Sequence, residues 1–391
     1  MKVLQVHNRY RKPGGEDTVL ANEARLLREH GHQVDLLEAH NNDDDPASLP
    51  AKLRLARNTL WSATGADLMA AALQQHRPDV VHVHNTFNQL SPVVLRTAVT
   101  QGVPVVQTMH NFRAVCANGL LLRDGQPCEL CVTAGRWHAV QHRCYRGSAA
   151  ASTVVALSGA LHLWAGTFTQ RGVRVIALTE FARALFVRSG LAERVLRVKP
   201  NFVYPATASG QQRDQRVVFV GRLAAEKGVD LLLEAWRQLA PVGWVLELIG
   251  QGELRPSAQS LDASVRCLGW LSPTEVMARI GSARYLVMAS RWYEGLPMVL
   301  LEAFSAATPI IVPRLGAMAE VVQEGRNGLG FDAGSAASLA GVLGQALALP
   351  PAAWQRLSDG ALQSYNALYS PQANHAQLMS IYREAASEAA S

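Results

Sequence analysis

The sequence predicts an α/β protein of two doubly wound domains, each built on a parallel sheet with helices on both faces. The strand-like segments are continuous apolar runs, and segments of helical periodicity separate them throughout the chain. At 391 residues the chain is long enough for two hydrophobic cores. Hydrophobic residues make up 49% of it and charged residues 17%, a composition that excludes an intrinsically disordered protein.

Apolar runs predict six strands in the first half of the chain and five in the second. They are Lys2–His7, Gln33–Glu38, Asp79–His84, Pro104–Met109, Arg174–Leu178, Val195–Lys199, Arg216–Val220, Val245–Ile249, Val265–Leu268, Arg284–Met288 and Pro309–Val312. Helices are predicted between them, for example at Thr18–His30, Leu90–Gln101, Val229–Leu239 and Pro273–Ile280. Because such sheets bind ligands at the carboxyl ends of their strands, we expect the site in the loops that follow the strands.

A polar run bearing Pro, Ser and Gly, residues 205–214, lies between two predicted strands and has the composition of a linker. We therefore assign residues 1–204 to an N-terminal domain and 215–370 to a C-terminal domain, an arrangement that leaves a cleft between them. Residues 371–391 are helical in character and are expected to cross back over the first domain.

The charge balance favours anionic partners such as phosphorylated ligands. The net charge is +6 and the isoelectric point about 9.2, with basic residues spread out except for a modest cluster between Arg136 and Arg146. The first residues have the pattern of a buried strand and not of a signal peptide, so we expect a cytoplasmic protein. The apolar segment Ser148–Phe168 predicts a buried helix, with contact at a membrane interface as the alternative.

Two glycine-containing loops follow predicted strands and precede predicted helices. In Lys12-Pro13-Gly14-Gly15-Glu16-Asp17, adjacent glycines let a ligand approach a helix start that attracts anions, although the two acids also suit an ordinary first turn. In Gly221–Gly228, Arg222 and Lys227 are spaced so that both could reach one diphosphate. A pair of solvated loop cations is the alternative interpretation, and the position of the loop favours a ligand.

A third segment, Ser290-Arg-Trp-Tyr-Glu-Gly-Leu-Pro-Met-Val-Leu-Leu-Glu-Ala-Phe, carries two carboxylates eight positions apart. Glu294 lies on a turn, and Glu302 lies within a predicted helix that Pro297 would begin at its first position. Carboxylates accept hydrogen bonds from sugar hydroxyls, and the free N–H groups of a helix start attract phosphate. Taken alone, the spacing favours the other interpretation, a solvated helix glutamate and an ordinary loop glutamate.

Histidines end two of the predicted strands. His82 and His84 belong to one strand and are interpreted as packing residues, whereas His110, in the loop after the next strand, is the one we predict to be functional.

Four cysteines lie in a loop of residues 114–146 that has few apolar residues. Cys128 and Cys131 form a C-x2-C pair, and Cys116 and Cys144 flank it at a separation of eleven and twelve residues. In a cytoplasmic chain this pattern favours a structural Zn²⁺ site over disulfides, with unligated reduced thiols as the alternative.

With these motifs the chain resembles the retaining glycosyltransferases of family 4, the glycogen-synthase-like group 1 enzymes. Their architecture, called GT-B, consists of two Rossmann-like domains around a cleft. The resemblance covers nearly the whole chain, and its most specific part is the pairing of Gly221–Gly228 with the Glu294-Gly-Leu-Pro motif and Glu302. Gly14-Gly15-Glu16 adds to it. The chain departs from the family at Pro200-Asn-Phe-Val-Tyr, where members often have Pro-Asn-Gly-Val-Asp.

The resemblance implies a role for each motif. Glu294 would contact the donor sugar near the reacting centre, and Glu302 would hold the ribose of the nucleotide. Arg222 and Lys227 would clamp the diphosphate and stabilise the departing nucleotide, so no catalytic metal is expected. The other implied site residues are Gly15 beside the phosphates or the acceptor, His110 near the transferred sugar, and Gly295, Leu296 and Pro297 in the sugar pocket.

The implied reaction is transfer of a hexose from a UDP- or GDP-sugar to an acceptor hydroxyl, with retention, in the synthesis of a bacterial cell-envelope polysaccharide or lipopolysaccharide. A glycan or lipid-linked acceptor would bring the enzyme into peripheral contact with the cytoplasmic membrane. Alternatives are a sugar-nucleotide epimerase of the same fold, a non-catalytic polysaccharide-binding protein, and a zinc-stabilised nucleic-acid-binding protein. The chain lacks the interleaved aromatics and basic stripe of the last class, so no nucleic-acid partner is expected.

Overall fold

The structure, a computed structural model, describes residues 1–11, 14–41, 48–205, 213–255 and 263–390. Lys12 and Pro13 of the first glycine loop, residues 206–212 of the predicted linker and Ser391 lie outside the described residues. The chain forms two compact units. The first consists of Met1–Leu121, Cys128–Asn201 and the chain from Asn374 onward, and the second of Leu122–Pro127 and Phe202–Ala373.

The first unit is built on a six-stranded sheet in which every strand pair is parallel. Its strands, in the spatial order β2-β1-β3-β4-β7-β8, are β1 (Lys2–Arg9), β2 (Gln33–His40), β3 (Val80–Asn85), β4 (Val105–Met109), β7 (Val173–Ala177) and β8 (Leu196–Val198). The central strands β3, β4 and β7 are buried along their whole length, as expected for apolar runs covered on both faces. A two-stranded hairpin, β5 (Leu122–Arg123) and β6 (Gln126–Pro127), interrupts the sequence of this unit.

Helices connect the parallel strands of the first unit. They are α1 (Gly15–Glu29), α2 (Leu49–Trp61), α3 (Ala63–His76), α4 (Val93–Thr100), α5 (Leu130–Thr133), α6 (Trp137–Gln141), α7 (Ala149–Trp164) and α8 (Glu180–Arg188). The C-terminal helix of the chain packs on the same sheet, where Leu378 and Tyr382 join Val3, Leu27 and Val80 in one buried cluster.

The second unit repeats this architecture. Its six parallel strands, in the order β11-β10-β9-β12-β13-β14, are β9 (Asp214–Val220), β10 (Val245–Ile249), β11 (Val265–Gly269), β12 (Ala283–Val287), β13 (Ile310–Pro313) and β14 (Gly328–Phe331). The α-helices described in the rest of the chain are, in order, α9 (Val229–Leu239), α10 (Pro273–Ser282), α11 (Met298–Ser305), α12 (Gly316–Val321), α13 (Ala336–Leu347), α14 (Pro351–Ser364) and α15 (Pro371–Ala390). Trp236 of α9 is fully buried against Leu248 and Tyr285 of the sheet in the core of this unit.

The predicted strands are confirmed, with ends that differ by at most two residues. The prediction missed the hairpin and β14. In β14 the sequence is Gly-Leu-Gly-Phe, and glycine is unfavourable in a strand interior. A Cβ atom at Gly328 would lie 2.4 Å from the carbonyl oxygen of Ile310, so close strand packing demands glycine where sequence propensity disfavours a strand.

The segment predicted as a buried helix, Ser148–Phe168, differs from the expectation. Helix α7 buries one face through Ser152, Val155, Ser158 and His162, but Trp164 at its end is 86% exposed. In the described part of the chain, no single helix is both long and apolar enough to span a membrane. Helix α13 and the helical segment Pro351–Ala390, bent by 109° at their junction, pass that test only as a pair.

Candidate functional site

The loop Gly221–Gly228 leaves the carboxyl end of β9 and leads into α9. Gly228 has a φ angle of 67°, and a Cβ atom there would lie 1.9 Å from the carbonyl oxygen of Ala289. Only glycine therefore allows this loop to pack against the backbone that follows β12. The packing brings Lys227, at the end of the short 3₁₀ helix Ala225–Lys227, next to the segment that carries Glu294.

Glu294 is held by three side-chain donors that converge on one of its oxygens. Lys227 Nζ, Ser290 Oγ and Trp292 Nε1 each donate to Glu294 Oε1 at 2.7 Å. The Lys227 ammonium also lies 4.9 Å from the centre of the Trp292 ring, within cation–π range. Glu294 is only 9% exposed, and among the described residues Oε2 has no hydrogen-bond partner. The carboxylate is thus oriented through Oε1, which leaves Oε2 as an acceptor for a ligand.

Arg222 lies at the start of the same loop but makes a different contact. Its guanidinium is paired with Glu226, four residues further along the loop, and its side chain is 60% exposed. Glu226 in turn accepts the backbone N–H of Arg291 through its carbonyl oxygen at 3.0 Å. The guanidinium of Arg222 is thus exposed and held by one carboxylate, whereas the ammonium of Lys227 is engaged with Glu294.

Helix α11 places the second predicted carboxylate. Pro297 is its N-cap and not its first residue, so the sequence-based prediction was one position early. Leu300, Leu301 and Phe304 are fully buried as predicted, and Glu302 lies off that face. Burial raises the pKa of Glu302, and its carboxylate forms no side-chain hydrogen bond within the described ranges. Such a carboxylate is ready to accept hydrogen bonds from a bound hydroxyl.

The backbone between these two carboxylates is compact. Leu296 is buried at 6% exposure, while Gly295 and Pro297 beside it are half-buried. These three residues connect the Glu294 turn to the start of α11, and their place in a sugar pocket stays a prediction.

The first glycine loop begins α1 in the other unit. Gly14 is the N-cap, and its N–H donates to Asp17 Oδ2 at 2.8 Å. The other oxygen of Asp17 contacts Arg9 at 2.8 Å and His7 at 3.2 Å. Gly15, the first residue of the helix, is exposed. Asp17 is therefore a helix-capping residue. This is the ordinary first-turn role that the sequence left open as an alternative to ligand binding.

Glu16 is a candidate site residue that the sequence-based reasoning missed. Burial, and next the charge of Asp17, raise its pKa to about 8, while Arg113 opposes the shift. Asn85, at the end of β3, donates to Glu16 Oε1 at 3.2 Å. At neutral pH most of this carboxyl group is protonated. The raised pKa of Glu16 could not be predicted from its sequence position in a first helical turn, because Asn85 and Arg113 are remote in the chain.

His110 follows β4 and is half-buried. Its Nε2 lies 3.0 Å from His84 Nδ1, and it lines a cavity of about 80 Å³ together with Asn85, Asn111 and Arg113. Burial and then the neighbouring His84 hold the pKa of His110 well below its ordinary value, so the imidazole is neutral at pH 7. His82 and His84 are both buried.

The four cysteines of the loop cluster around Cys131. Burial, and after it the neighbouring Cys116, Cys144 and Cys128, raise the pKa of the Cys131 thiol to about 12. None of the five cysteines, all of which lie in described ranges, forms a disulfide. No three of the loop sulfurs lie mutually within 4.8 Å. The thiols are therefore near one another but farther apart than the ligands of one metal ion.

Two protein-family models match the chain, and together they cover both units. Residues 13–207 match the model described as Glycosyltransferase Family 4, and residues 214–348 match the one described as Glycosyl transferases group 1.

Two curated relatives match parts of the chain. An alpha-D-kanosaminyltransferase of Streptomyces kanamyceticus is 29% identical over 176 residues, which is 43% of this chain and 45% of the relative. The amylovoran biosynthesis glycosyltransferase AmsD of Erwinia amylovora is 35% identical over 107 residues, 26% of this chain and 29% of the relative. The matched regions thus span less than half the length of these relatives.

Solved structures match along nearly the whole chain. The structure of Anabaena HepE in complex with UDP-glucose covers 99% of this chain and 98% of its own, with a TM-score of 0.63 and 16% sequence identity. At that identity the likeness establishes the GT-B fold of two parallel-sheet α/β domains.

Proposed function

The chain belongs to the group 1 and family 4 glycosyltransferases, and from that premise we propose that it transfers a hexose from a nucleoside-diphosphate sugar to an acceptor hydroxyl with retention at the anomeric carbon. The observation that carries this proposal is the fixed carboxylate of Glu294. Three donors orient Oε1, and Oε2 is left as an acceptor for a sugar hydroxyl. The adjacent ammonium of Lys227 supplies positive charge where a diphosphate would depart.

Two cations and a second carboxylate complete the proposed donor site in the second unit. Lys227 and Arg222 would offset the charge that develops on the leaving nucleoside diphosphate, a role that needs no divalent metal. Glu302, with its unengaged carboxylate, would accept hydrogen bonds from the ribose. The roles of Gly15 beside the phosphates or acceptor, and of His110 near the sugar, stay predictions that rest on the family.

We propose a UDP-sugar as the donor, because HepE shares this fold and its structure contains UDP-glucose. The proposed acceptor is a glycan or lipid-linked intermediate of a bacterial polysaccharide, since AmsD is by name an enzyme of amylovoran biosynthesis.

Peripheral contact with an anionic membrane is also part of the proposal. Helix α2 exposes Leu49 and Leu53 beside Lys52, Arg54 and Arg57. An apolar surface flanked by cations suits the headgroup region of a bilayer. Cosedimentation with vesicles of phosphatidylcholine and phosphatidylglycerol tests it. We expect binding that high salt weakens, and no binding at low salt would contradict this part of the proposal.

A panel of nucleotide sugars tests the reaction class. A donor that binds the folded protein raises its melting temperature, and product analysis with a glycan acceptor then distinguishes transfer from epimerisation. We expect a UDP-hexose to stabilise the protein and to be consumed with release of UDP in the presence of an acceptor. A donor that is converted to its epimer without transfer would replace the proposal with a sugar-nucleotide epimerase.

Replacing Glu302 with alanine is expected to weaken nucleotide binding at least about tenfold, the effect of one lost hydrogen bond to a charged acceptor. The stability of the apo protein should change little, because within the described residues the Glu302 carboxylate makes no hydrogen bond or ion pair that the alanine would remove. Calorimetric titration with UDP measures the change. Glu320→Ala, a glutamate of α12, is the control and should bind UDP normally. Equal affinity of Glu302→Ala and the wild type would remove the ribose role.

We further propose that Cys116, Cys128, Cys131 and Cys144 hold one structural Zn²⁺, which would draw the thiols together around Cys131 and stabilise the loop of short elements between Ala114 and Arg146. Elemental analysis of protein purified without added chelator should find about one zinc per chain. Cys131→Ser should lose the metal and melt at a lower temperature. Cys267→Ser changes a half-buried cysteine of the other unit and should keep the metal. Metal-free wild-type protein with full activity would refute the site.

A further inference from the structure

Buried polar side chains connect α1 to β3 in the first unit. Glu23 of α1 places one oxygen, Oε1, 2.7 Å from His82 Nδ1 and 3.3 Å from His84 Nε2. The two histidines are two positions apart on β3 and therefore lie on the same face of the sheet. All three side chains are almost completely shielded from solvent.

Glu23 is ionised in this environment. Burial alone would raise its pKa, but the neighbouring His82 and Lys199 outweigh burial and hold the pKa of Glu23 well below its ordinary value. Lys199 Nζ lies 3.5 Å from Glu23 Oε2 and also donates to Asn374 Oδ1 at 3.1 Å. Glu23 Oε1 and His84 Nε2 have no hydrogen-bond partner among the described residues, so their contact at 3.3 Å is electrostatic. The negative charge of the carboxylate favours a hydrogen, and not a lone pair, on a nitrogen that faces it.

The position of the His84 proton follows from this contact. Nε2 of His84 faces the carboxylate, and a lone pair there would set two acceptors against each other in a buried space. Burial and then His82 lower the pKa of His84 to about 4, so the ring is neutral and carries only one N–H. With that hydrogen on Nε2, Nδ1 of His84 is an acceptor.

His110 is the group that donates to this acceptor. Its Nε2 lies 3.0 Å from His84 Nδ1, and the two ring planes are within 13° of each other with centroids 5.3 Å apart. This is the geometry of two imidazoles joined end to end by an in-plane hydrogen bond. Since His110 is neutral, its Nε2 carries the hydrogen and its Nδ1 carries the lone pair.

We propose that Glu23 is a positioning residue that acts through His84 to hold His110 in its Nε2–H tautomer, so that Nδ1 presents a lone pair to the cavity lined by His110. Nδ1 has no hydrogen-bond partner in the described part of the chain. The lone pair would accept a hydrogen bond from a sugar hydroxyl, a use that rests on the proposed function. His110 would then accept a hydrogen bond from a sugar hydroxyl and would not donate a proton.

Glu23, His82 and His84 also have the spacing of metal ligands, since their ligand atoms lie within 4.8 Å of one another. Two contacts favour the proposed relay, from Glu23 through His84 to His110, over a bound cation. The Lys199 ammonium already neutralises Glu23, and Tyr382 Oη occupies the second contact of His82 Nδ1 at 2.7 Å. A divalent ion would have to lie beside a buried ammonium, which is electrostatically unfavourable.

The tautomer can be measured directly in the unmodified protein. Long-range ¹H–¹⁵N correlation of protein labelled at histidine nitrogens distinguishes a protonated from an unprotonated ring nitrogen, and His110→Gln identifies the His110 signals. At pH 7 we expect His110 to be protonated at Nε2 and unprotonated at Nδ1. The reverse pattern, or a cationic ring, would overturn the proposal. This measurement uses no substrate, so it is independent of the proposed reaction.

A pair of variants tests the role of Glu23. Glu23→Gln removes the charge, and its amide can present either a donor or an acceptor to His84, so we expect a mixture of His110 tautomers and a drop in kcat of about tenfold, the effect of one lost hydrogen bond. The KM for the donor should not change. Tyr382→Phe removes the hydroxyl that contacts His82 Nδ1 within the same core, leaves the contact of His82 Nε2 with Thr108, and should keep both the tautomer and kcat.

The possible outcomes distinguish a failure of the relay proposal from a failure of the proposed transfer reaction. A single, unchanged His110 tautomer in folded Glu23→Gln protein would overturn the relay. If Glu23→Gln does not fold, the tautomer of the wild-type protein decides the proposal alone. Absence of sugar transfer by the wild type would contradict the proposed function, while the ring spectra would still support or overturn the relay.

Discussion

Glu294→Gln is expected to lower kcat/KM for sugar transfer at least about 100-fold, the scale seen when an oriented polar group at a reacting centre is lost. The variant is chosen because the amide oxygen of glutamine can replace Oε1 and still accept from Lys227, Ser290 and Trp292. Only the outward atom changes, from the acceptor Oε2 to an NH₂ donor. A sugar hydroxyl that donates to Oε2 would then face a donor. Initial rates with a UDP-hexose and an acceptor measure the effect.

The matched control is Glu247→Gln. Glu247 is a fully buried glutamate in β10 of the same unit, held by Arg216 and Arg279. Both substitutions neutralise a buried carboxylate beside a cation, so both should lower the melting temperature. Only Glu294→Gln should lose transfer, and UDP affinity should stay near the wild-type value in both. Comparable transfer rates for Glu294→Gln and the wild type would end the assignment of Glu294 to the donor sugar.

The fold was predictable because both sheets are parallel and buried. Burial on two faces forces apolar runs such as Ile310–Pro313, and these are visible without any knowledge of tertiary structure. Strand β14 was not predictable in this way. Its two glycines are dictated by the backbone of Ile310 and the side chain of Arg314, contacts that exist only once the sheet has formed.

The site was predictable where chemistry is concentrated in short motifs, and not where it depends on contacts between distant residues. Glu294 and Lys227 stand out because a carboxylate and a cation follow strand ends in glycine-containing loops. The donors Ser290 and Trp292 lie in the same segment as Glu294, but no spacing rule indicates that both side chains turn back onto Oε1.

The environments of the two glutamates in α1 were even less predictable from the sequence. Glu16 and Glu23 have the sequence appearance of ordinary helix glutamates. Their environments come from remote residues: Asn85 and Arg113 surround Glu16, and His82 contacts Glu23. The shift of Glu16 and the ionisation of Glu23 have opposite directions because Glu16 lies beside another acid, Asp17, whereas Glu23 lies among histidines and a lysine. Helix periodicity carries no information on either neighbourhood.

Lys227→Ala is expected to lower kcat for transfer by roughly 10²–10³-fold, because charge stabilisation of a departing diphosphate is lost at the transition state. Donor affinity should also fall, which distinguishes this variant from Glu294→Gln. Glu294 would keep the Ser290 and Trp292 donors at Oε1, so its carboxylate should remain oriented. Steady-state kinetics give kcat, and calorimetric titration with UDP gives the affinity.

Arg216→Ala separates the loss of catalysis from a loss of stability. Arg216 lies near the amino end of β9, 3.3 Å from Glu247, and Lys227 lies in the loop after the carboxyl end of the same strand. Each substitution removes a largely shielded cation from a glutamate that keeps other partners, in one case Arg279 and in the other Ser290 and Trp292. The melting temperatures should therefore fall by similar amounts. Because ligands of such sheets bind at the carboxyl ends of the strands, only Lys227→Ala should lose transfer. An equal loss of transfer in both variants would mean that Lys227 acts through the stability of the unit and not on the diphosphate.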